Sequence, residues 1–401
     1  MALIPVAEAH ARLIALVAPV GTEEVPLADA AGRVLAADVV ALRDQPPFDA
    51  SAMDGYACRA ADARPGAVLT VVGTAAAGLG HPSPVRPGEA VRIFTGASLP
   101  AGADWVVIQE EAAARGDRVT VTAGQGGPPN IRPAGGDFRR GERVAAPRRL
   151  RPADLGLLAA MNATRLTVAR QPVVALIPTG DELVAPGEDP GPDQIVSSND
   201  IALEALLEAA GAIGRRLPIA RDTPGSLAAT LDLAADADLI VTIGGASVGD
   251  FDLVRATAET RGLVVDFHGV AMRPGKPLLA GRLGGVPLMG LPGNPASAFV
   301  TAHLFLRPAI ERMLGLPGDL PAPHAARLAA PVGPTGPRAH YMRARVGVSV
   351  DADAGGGWTC TPLALQDSSL VGVLAEANAL LARPAHDPAR AAGETAAFIW
   401  L

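Results

Sequence analysis

The sequence predicts a multidomain protein that combines an α/β domain with β regions on either side of it. Between residues 172 and 313, short apolar runs alternate with helical stretches, which indicates βαβ units and a mostly parallel sheet covered by helices. Between residues 68 and 144, and again beyond residue 317, short β-like runs alternate with turns rich in Gly and Pro. The length of 401 residues also favours several domains over one.

The first half of the chain is predicted to contain two helices separated by short strands. Apolar residues at helical spacing run from about Pro5 to Val17. A second helical stretch occupies about Pro152–Met161. The strands between them are predicted at Val68–Val72, Ala90–Phe94, Trp105–Ile108 and Arg118–Thr122.

The second half follows a strand–loop–helix order up to residue 313. Asn199 or Asp200 can cap a helix that runs to about Ala210 and that Gly211 ends. The other elements of this region are strands at Val173–Ile177, Ile213–Ile219, Leu239–Ile243, Leu263–Phe267 and Val286–Met289, and helices at Ser226–Ala235, Asp252–Thr260 and Ala296–Met313. Beyond them, strands are predicted at Tyr341–Val350, Trp358–Cys360, Ala379–Leu381 and Ala396–Leu401.

The composition supplies material for several cores and argues against two classes of partner. Hydrophobic residues make up 49% of the chain, and its net charge is −7, so nucleic acid is a poor partner because phosphate contacts need a basic surface. Several arginines cluster between Arg132 and Arg151, where a solvated face is the simpler interpretation. Since no apolar run reaches about 18 residues and no signal-type N-terminus is present, we expect no membrane contact and a cytoplasmic protein.

Cysteine and histidine give no sign of a metal centre. Cys58 and Cys360 lie far apart, and neither belongs to a Cys-x-x-Cys pair, so a structural zinc site or a disulfide framework is not expected. The seven histidines are scattered without the spacing of metal ligands. We therefore interpret each of them as structural.

Residues 46–57 place two carboxylates, Asp49 and Asp54, in a segment that fits neither helical nor strand periodicity. A Pro-Pro pair excludes a helix interior, and Gly55 after Asp54 favours a tight turn. Because the segment is rich in apolar residues, a shaped and partly buried site is one interpretation. The other is a packed loop whose Asp side chains bond to their own backbone. Spacing alone supports the two equally.

Three further motifs follow predicted strands of the α/β region, where open sheets bind ligands. They are Thr179–Glu182, Gly244–Asp250 and Leu291–Ser297. Glycines let backbone N–H groups approach an anion closely, and the start of a helix adds a favourable dipole. Such turns can be purely structural, but three of them at one sheet edge favour an anionic ligand.

Several acids in these loops would repel a phosphate unless a cation lay between them. They are Asp181, Glu182, Asp250 and Asp252. A Mg²⁺ ion resolves the conflict because it prefers carboxylate and phosphate oxygens; alternatively, each acid caps a neighbouring helix. Lys276 lies in a Pro-Gly-Lys-Pro run and suits a point-charge contact to an oxyanion, although a surface turn would explain it equally well.

In their order along the chain, these motifs resemble the molybdopterin molybdenumtransferase family, which includes the E domain of gephyrin. The set is highly specific and spans nearly the whole chain. The matching segments are Ser51–Tyr56, Ile93–Ala97, Val106–Glu110, Asn130–Pro133 running to Asp137, Thr179–Leu183, Ser198-Asn199, Gly244–Asp252, Pro274–Pro277 and Leu291–Ala298.

The resemblance implies a chain of four regions. Residues 1–44 and 138–171 would form an N-terminal helical and extended domain, and residues 45–137 a small inserted β domain. Residues 172–315 would form a three-layer α/β molybdopterin-binding domain, and residues 316–401 a β-barrel-like domain. It also implies a homodimer in which the α/β domain of one subunit faces the small β domain of the other.

The implied reaction converts adenylated molybdopterin and molybdate into molybdenum cofactor and AMP, with Mg²⁺ as cofactor. Handover of the substrate from a molybdopterin adenylyltransferase would fit this role. The catalytic positions carried over are Asp54, Thr95, Glu110, Asp137, Glu182 and Asp252. The substrate-binding positions are Gly244, Gly245, Ser247, Gly249, Lys276, Pro292, Gly293, Asn294, Ser297, Arg343 and Ser368. The metal ligands are Asp181, Glu182 and Asp250. Asp49 then takes a structural role.

Some residues depart from the family pattern. Gly136 stands where the family often has an acid, Pro178 where Ser is frequent, and Asp367 where an uncharged residue is usual. A carboxylate pointing into an oxyanion pocket would be unfavourable. A catalytically weak molybdopterin-binding scaffold is therefore the alternative function. A related adenylyltransferase is a third, which the extra β domain disfavours.

Overall fold

The computed structural model describes residues 3–123, 126–245, 253–348 and 357–401. The α-helices in these ranges are α1 (Val6–Leu16), α2 (Pro152–Ala160), α3 (Asn199–Ala210), α4 (Pro224–Leu233), α5 (Leu253–Thr260), α6 (Pro295–Thr301), α7 (Arg307–Met313) and α8 (Val371–Glu376). A π-helical turn, Ala302–Leu306, joins α6 to α7. Helix α8 has no counterpart in the sequence prediction. No described helix has the length and apolarity that crossing a membrane requires.

The strands of the first 171 residues form two main sheets. They are β1 (Thr22–Pro26), β2 (Val34–Leu35), β3 (Val39–Val40), β4 (Ala50–Ser51), β5 (Gly55–Cys58), β6 (Val68–Ala75), β7 (Glu89–Ile93), β8 (Trp105–Ile108), β9 (Ala112–Arg115), β10 (Arg118–Val121), β11 (Ile131–Arg132), β12 (Arg143–Val144), β13 (Arg148–Arg149) and β14 (Arg165–Ala169). One sheet has the order β1-β14-β2-β13, and the other, in the small β domain, β8-β5-β7-β6-β10-β9. Gln45 and Phe138 pair in an isolated bridge, at the predicted limits of the inserted domain.

The remaining strands form the central sheet and the C-terminal domain. They are β15 (Val173–Pro178), β16 (Leu183–Val184), β17 (Ile195–Val196), β18 (Ile213–Arg216), β19 (Leu239–Ile243), β20 (Leu263–His268), β21 (Met272–Arg273), β22 (Leu279–Leu283), β23 (Val286–Leu291), β24 (His324–Leu328), β25 (Ala339–Val348), β26 (Trp358–Pro362), β27 (Ala379–Arg383) and β28 (Thr395–Trp400).

The central sheet is mixed, with the strand order β18-β15-β19-β23-β22-β20. The first four of these strands run parallel, as the alternation of strands and helices predicts. Strands β22 and β20 add an antiparallel edge, and β22 was absent from the prediction. Gly284 and Gly285 connect β22 to β23 with positive φ angles of 56° and 91°, which is the backbone that a tight hairpin turn requires.

Apolar residues cover both faces of the central sheet, because successive side chains of a strand point to opposite faces. On β15, Leu176 joins a cluster that includes Leu207 of α3, whereas its neighbour Ile177 joins a second cluster with Leu231 of α4. The first cluster also contains Leu13, so the N-terminal helix α1 packs against the α/β core.

The C-terminal domain is a closed five-stranded barrel. Strand β25 pairs with both β26 and β27, which closes the order β25-β26-β24-β28-β27. Leu381 and Phe398 lie in the core of the barrel, while Leu380 and Ile399 belong to the core of the α/β domain. The outer face of two barrel strands is therefore packed on the α/β domain. Strand β21, which carries Arg273, pairs in parallel with β25.

Candidate active site

Three loops meet at one edge of the central sheet. Strands β15, β19 and β23 are parallel neighbours, so their carboxyl ends lie side by side. The N–H of Thr179 donates to the carbonyl of Ile243 at 3.0 Å, and the N–H of Gly244 donates to the carbonyl of Leu291 at 3.0 Å. The structure thus brings the three predicted loops together where open α/β sheets bind ligands.

Glycine is needed where the first two loops touch. Gly244 has a φ of 98°, and a Cβ atom there would lie 2.8 Å from the carbonyl oxygen of Thr179. A Cβ atom on Gly245 would lie 2.2 Å from Cγ2 of Val254. The backbone can pack this closely only without side chains at these two positions.

The third loop is held from two sides. Pro292 is buried, while Gly293 is exposed and its carbonyl accepts a hydrogen bond from Nδ2 of Asn199 at 2.6 Å. Nδ2 of Asn294 donates to Oγ of Ser368 at 3.1 Å. The predicted residues of the second loop that lie outside the described ranges are Ser247, Gly249, Asp250 and Asp252.

A segment of the barrel domain, residues 366–369, docks on the start of α6. The N–H of Ala296 donates to the carbonyl of Ser368 at 2.9 Å. Ser297, which is only 6% exposed, follows Ala296 in the first turn of the helix. The predicted substrate-binding residues Ser297 and Ser368 are therefore brought into the same place by two different domains.

The guanidinium of Arg343 is buried between the barrel and this segment, and the side chain has 0% exposure. Its Nη2 donates to the carbonyl of Asp367 at 3.0 Å. Its Nε and Nη1 have no hydrogen-bond partner in the part of the chain that the structure describes. Burial lowers the pKa of Arg343, yet an arginine stays charged in proteins. A buried cation with unused donors is costly, so this position suits an anion.

Two further basic residues near Arg343 were not predicted as site residues. Arg273 on β21 is in register with His340 on β25. Burial lowers the pKa of His340 to about 4, and the positive charge of Arg273 contributes to this shift. His340 is therefore neutral at neutral pH. Only the parallel pairing of β21 with the barrel reveals this pair, because the two residues are far apart in sequence.

Lys276 is the single lysine of the chain, since the other 33 of the 34 Lys and Arg residues are Arg. It is half-buried, and its backbone carbonyl accepts the N–H of Val270 at 2.8 Å. Among the described residues its ammonium group has no hydrogen-bond or ion-pair partner. An ammonium group is a compact point charge, so Lys276 remains a candidate for a contact to an oxyanion.

The carboxylate of Asp367 does not point at an unpaired anion site. Its Oδ1 accepts the N–H of Ser369 at 2.9 Å and the hydroxyl of Ser369 at 2.8 Å. These bonds lower the pKa of Asp367, and the residue is exposed. The unusual acid therefore shapes its own turn, whose carbonyl group then accepts the hydrogen bond from Arg343.

The first loop carries two predicted metal ligands, Asp181 and Glu182, and both are exposed. Oδ1 of Asp181 accepts the N–H of Asp222 at 3.1 Å. The carboxylate of Glu182 lies over Gly180, where a Cβ atom would be 2.4 Å from its Oε2. Within the described ranges no three His, Cys, Asp or Glu side chains converge on a metal position. One or two carboxylates that share a Mg²⁺ ion with substrate phosphates would still fit.

In the small β domain, Asp54 and Thr95 form a hydrogen-bonded pair. Oδ1 of Asp54 accepts both the N–H and the hydroxyl of Thr95 at 2.8 Å. These two bonds, and then the charge of Arg92, lower the pKa of Asp54. A Cβ atom on Gly55 would lie 2.0 Å from the carbonyl oxygen of Val107, so only glycine can follow Asp54 here.

The other acids of the β domain differ in their surroundings. Glu110 is exposed, and its Oε1 accepts a hydrogen bond from Nε2 of Gln109 at 3.1 Å. Asp137 is exposed at the end of the inserted segment. Oδ1 of Asp49, in contrast, accepts the N–H of Ala134 at 2.8 Å. Asp49 therefore binds the backbone of the segment that follows β11 and not that of its own loop.

Three family models match the chain in order. The model described as "MoeA N-terminal region (domain I and II)" matches residues 4–162. The model described as "Probable molybdopterin binding domain" matches residues 175–312. The model described as "MoeA C-terminal region (domain IV)" matches residues 325–401. Together they cover the N-terminal region, the small β domain, the central sheet and the barrel.

Similar proteins support the same family. A protein of Mycobacterium tuberculosis named molybdopterin molybdenumtransferase 2 is 38% identical over 390 residues, which are 94% of this chain and 94% of that protein. A molybdopterin molybdenumtransferase of Nostoc sp. is 39% identical over 305 residues, or 74% and 70% of the two chains. The solved structure of the molybdopterin biosynthesis moeA protein from Pyrococcus horikoshii OT3 has a TM-score of 0.84 and 28% identity, with full coverage of both chains. The chain belongs to the molybdopterin molybdenumtransferase (MoeA) family.

Proposed function

We propose that this chain is a molybdopterin molybdenumtransferase, which inserts molybdate into adenylated molybdopterin and yields molybdenum cofactor and AMP. The observation that carries the proposal is the buried guanidinium of Arg343, whose Nε and Nη1 lack partners within the described residues. Molybdate is a tetrahedral dianion, and charge-assisted hydrogen bonds to such an anion are the strong ones. The names of the relatives give the same activity.

In the proposed complex, the cations bind molybdate and the hydroxyl groups orient it. Arg343 would offer two N–H donors, and Lys276 a point charge. Ser297 and Ser368, which the contact between α6 and residues 366–369 brings close together, would donate from their hydroxyl groups. Because Arg343 is buried, its bonds to the anion are little weakened by solvent.

The loops at the sheet edge would hold the adenylated end of the substrate. The backbone N–H groups of Gly245 and Gly293 would approach the phosphoanhydride, because glycine has no side chain of its own. Cleavage of a phosphoanhydride depends on positioning and charge stabilisation more than on a covalent nucleophile. The reaction therefore needs no activated serine or cysteine of the protein.

The sulfur ligands of molybdenum would come from the substrate. Burial raises the pKa of Cys58 to about 12 and that of Cys360 to about 11. Both thiols are therefore protonated at neutral pH, whereas a thiolate is the form that binds metals. The dithiolene of molybdopterin supplies the sulfur atoms instead.

A Mg²⁺ ion is the proposed cofactor, and Asp181 and Glu182 are the described residues that would hold it. Asp250, a third predicted ligand, lies outside the described ranges. When bound, Mg²⁺ would neutralise phosphate charge in the anhydride. Glu182 suits this role because its carboxylate lies beside the loop backbone at Gly180.

The small β domain would supply the acidic wall of the site, with Asp54, Thr95, Glu110 and Asp137 as its members. We propose that a homodimer brings this wall from one subunit to the α/β domain of the other. Direct handover of the substrate from a molybdopterin adenylyltransferase, and a cytoplasmic location, belong to the same proposal.

The decisive experiment is an assay of AMP release. Purified protein is mixed with adenylated molybdopterin, molybdate and Mg²⁺, and AMP release should require molybdate. Binding of the adenylated substrate without molybdate-dependent AMP release would contradict the proposed enzyme and favour the alternative, a molybdopterin-binding scaffold. The Asp54→Ala variant should lose turnover by between about 10²- and 10⁴-fold while it keeps its fold; Asp62→Ala, another partly exposed acid of the same domain, should not.

A further inference from the structure

One arginine of the small β domain contacts the backbone and side chains that hold its acidic wall. Arg92 lies half-buried on β7, in register with Tyr56 on β5. Its Nη1 donates to the carbonyl of Gly55 at 3.0 Å, and its Nη2 donates to Oε1 of Gln109 at 2.9 Å. Its Cζ lies 5.0 Å from the ring centroid of Tyr56 and 4.8 Å from that of Phe94. The guanidinium is thus fixed by two hydrogen bonds and two aromatic rings.

Gln109 connects Arg92 to both candidate acids. The N–H of Gln109 donates to the carbonyl of Asp54 at 3.0 Å. Its side-chain Nε2 donates to Oε1 of Glu110 at 3.1 Å. Because Nη2 of Arg92 binds Oε1 of the same amide, it fixes which way the amide points. Arg92 is therefore linked to Glu110 through the side chain of Gln109, and the backbone of the same residue binds the carbonyl of Asp54.

The other contacts of Arg92 are to residues that neighbour Asp54 or its hydrogen-bond partner Thr95 in sequence. Gly55, whose carbonyl binds Nη1 of Arg92, directly follows Asp54. Phe94, which stacks on the guanidinium, directly precedes Thr95, and the N–H and hydroxyl of Thr95 both bind Oδ1 of Asp54 at 2.8 Å. In the described part of the chain, no hydrogen bond or ion pair joins Arg92 to either carboxylate itself.

We propose that Arg92 is a positioning residue, which holds Asp54 and Glu110 in a fixed relation for catalysis. This inference rests on the proposed function, because it assigns Asp54 and Glu110 to the acidic wall of that site. Arg92 does not contact the substrate in this scheme. It acts through Gln109, through the Asp54–Gly55 backbone and through the loop at Thr95.

An arginine suits this task better than a lysine would. The guanidinium donates from nitrogens held in a rigid planar fork and stacks on aromatic faces, whereas an ammonium group is a compact point charge with no plane to stack. The positive charge of Arg92 also favours the ionised form of Asp54. Besides Asp54 itself, the charged or titratable groups that these contacts bring together are Arg92, Tyr56 and Glu110.

The first test compares Arg92→Lys and Arg92→Gln in the AMP-release assay. Arg118 is exposed on β10 of the same sheet, so Arg118→Gln is the matched control. Both Arg92 variants should lower kcat between about 10- and 100-fold, with an unchanged KM for molybdate. In Arg92→Gln, the acid limb of the kcat profile should also move to higher pH, because the pKa of Asp54 rises when the positive charge is lost. Arg92→Lys keeps the charge and should keep the acid limb in place.

The second test does not depend on activity. The carboxyl ¹³C signal of Asp54, assigned with Asp54→Asn, is titrated in the substrate-free protein. Its pKa should be higher in Arg92→Gln than in the wild type and unchanged in Arg118→Gln. If Arg92→Gln lowered only the melting temperature, and left both the Asp54 pKa and the kcat of the folded protein unchanged, Arg92 would be merely structural. If the wild type released no AMP while the Asp54 pKa shifted as expected, the proposed function would fail and the link from Arg92 to Asp54 would stand.

Discussion

Two arginines are buried in the strands of the C-terminal barrel, and they have opposite surroundings. Arg383 is 3% exposed and all three of its nitrogens donate: Nε to Asp387 at 2.7 Å, and the other two to the carbonyls of Gly333 and Pro388. Arg343 is 0% exposed, yet its Nε and Nη1 have no partner within the described residues. The first lies inside a complete hydrogen-bond network. The second lies between the barrel and the start of α6.

The difference separates a cation that the protein compensates fully from one that it compensates only in part. A buried charge is tolerated when its partners compensate for the lost hydration, and it is costly otherwise. Arg383 is compensated by the protein itself. Arg343 is only partly compensated, by the carbonyls of Asp367 and Leu365, so an oxyanion would supply acceptors for its remaining donors. Burial by itself therefore does not distinguish the two arginines, whereas the two unused donors of Arg343 do.

The largest expected effect is that of Arg343→Met on activity. Hydrogen bonds to a charged group are worth about 1.5–3 kcal/mol, so the loss of two should lower kcat/KM for molybdate by at least about 100-fold. The melting temperature should not fall, because an apolar side chain of similar length replaces a charge with incomplete partners. Arg345→Met, at an exposed position on the same strand, is the control. A lower melting temperature with normal kcat/KM would make Arg343 structural.

Arg383→Met should show the reverse pattern. Removal of one partner from a buried ion pair leaves Asp387 less compensated, and we expect a loss of about 3 kcal/mol in the free energy of unfolding. Arg390, which also binds Asp387 at 2.7 Å, would limit the loss. Urea unfolding measures the effect, and kcat/KM for molybdate per folded molecule should be unchanged. An unchanged free energy of unfolding with a lower kcat/KM for molybdate would show that Arg383, like Arg343, acts on molybdate.

The stabilisation that Asp387 gives through its bonds to Arg383 and Arg390 should be lost at acid pH. The hydrogen bond from Arg390, and also Arg383, lower the pKa of Asp387 to about 2, whereas an unfolded Asp has a pKa of about 3.9. The ionised form therefore stabilises the fold fully above about pH 4, and this contribution, about 2 kcal/mol, is lost as the pH falls towards 2. Asp387→Asn should remove this acid dependence from the free energy of unfolding. Asp193→Asn, at an exposed loop position, should leave it unchanged.

Because Lys276 is the single lysine, its chemical labelling tests directly whether an anion binds near Lys276 and Arg343. An amine-reactive reagent can label only Lys276 and the N-terminus, and peptide mass spectrometry separates the two. Molybdate should slow the labelling of Lys276 by about 10-fold, which corresponds to about 1.4 kcal/mol, while chloride at equal ionic strength should not. Protection should disappear in Arg343→Met. Protection that persisted there would place the anion away from Arg343.

The smallest effect is expected for Asp367→Asn. The carboxylate of Asp367 is exposed and bound to Ser369, and an Asn oxygen can accept the same bonds. We expect a change of less than about 2-fold in KM for molybdate, because exposed charges contribute little. A large decrease in the KM for molybdate would mean that the carboxylate of Asp367 repels the anion and weakens its binding in the wild type.

The sequence alone was enough to predict much of the α/β region. The end of helix α3 was predicted at about Ala210, where it is observed, because Gly211 supplies a left-handed end. Its start was predicted with Asn199 or Asp200 as the cap, whereas Asn199 is already helical and Ser198 is the cap residue. The strand at Leu239–Ile243 is a continuous apolar run, as a strand buried on both faces must be. The antiparallel strand β22 was missed, since nothing in its own residues separates it from a buried loop.

Motifs and their order determined the family and most of the candidate residues, because glycines, prolines and short acids carry local backbone and charge requirements that are visible in a sequence. Only the tertiary structure showed that Arg273 is in register with His340, that Asp367 binds Ser369, and that Arg92 binds Gly55 and Gln109. The physical reason is that unused donors, burial and strand register arise between segments that are distant in sequence. The sequence supplied the charges, and the packing of the barrel against the α/β domain decided which of them remained without a partner.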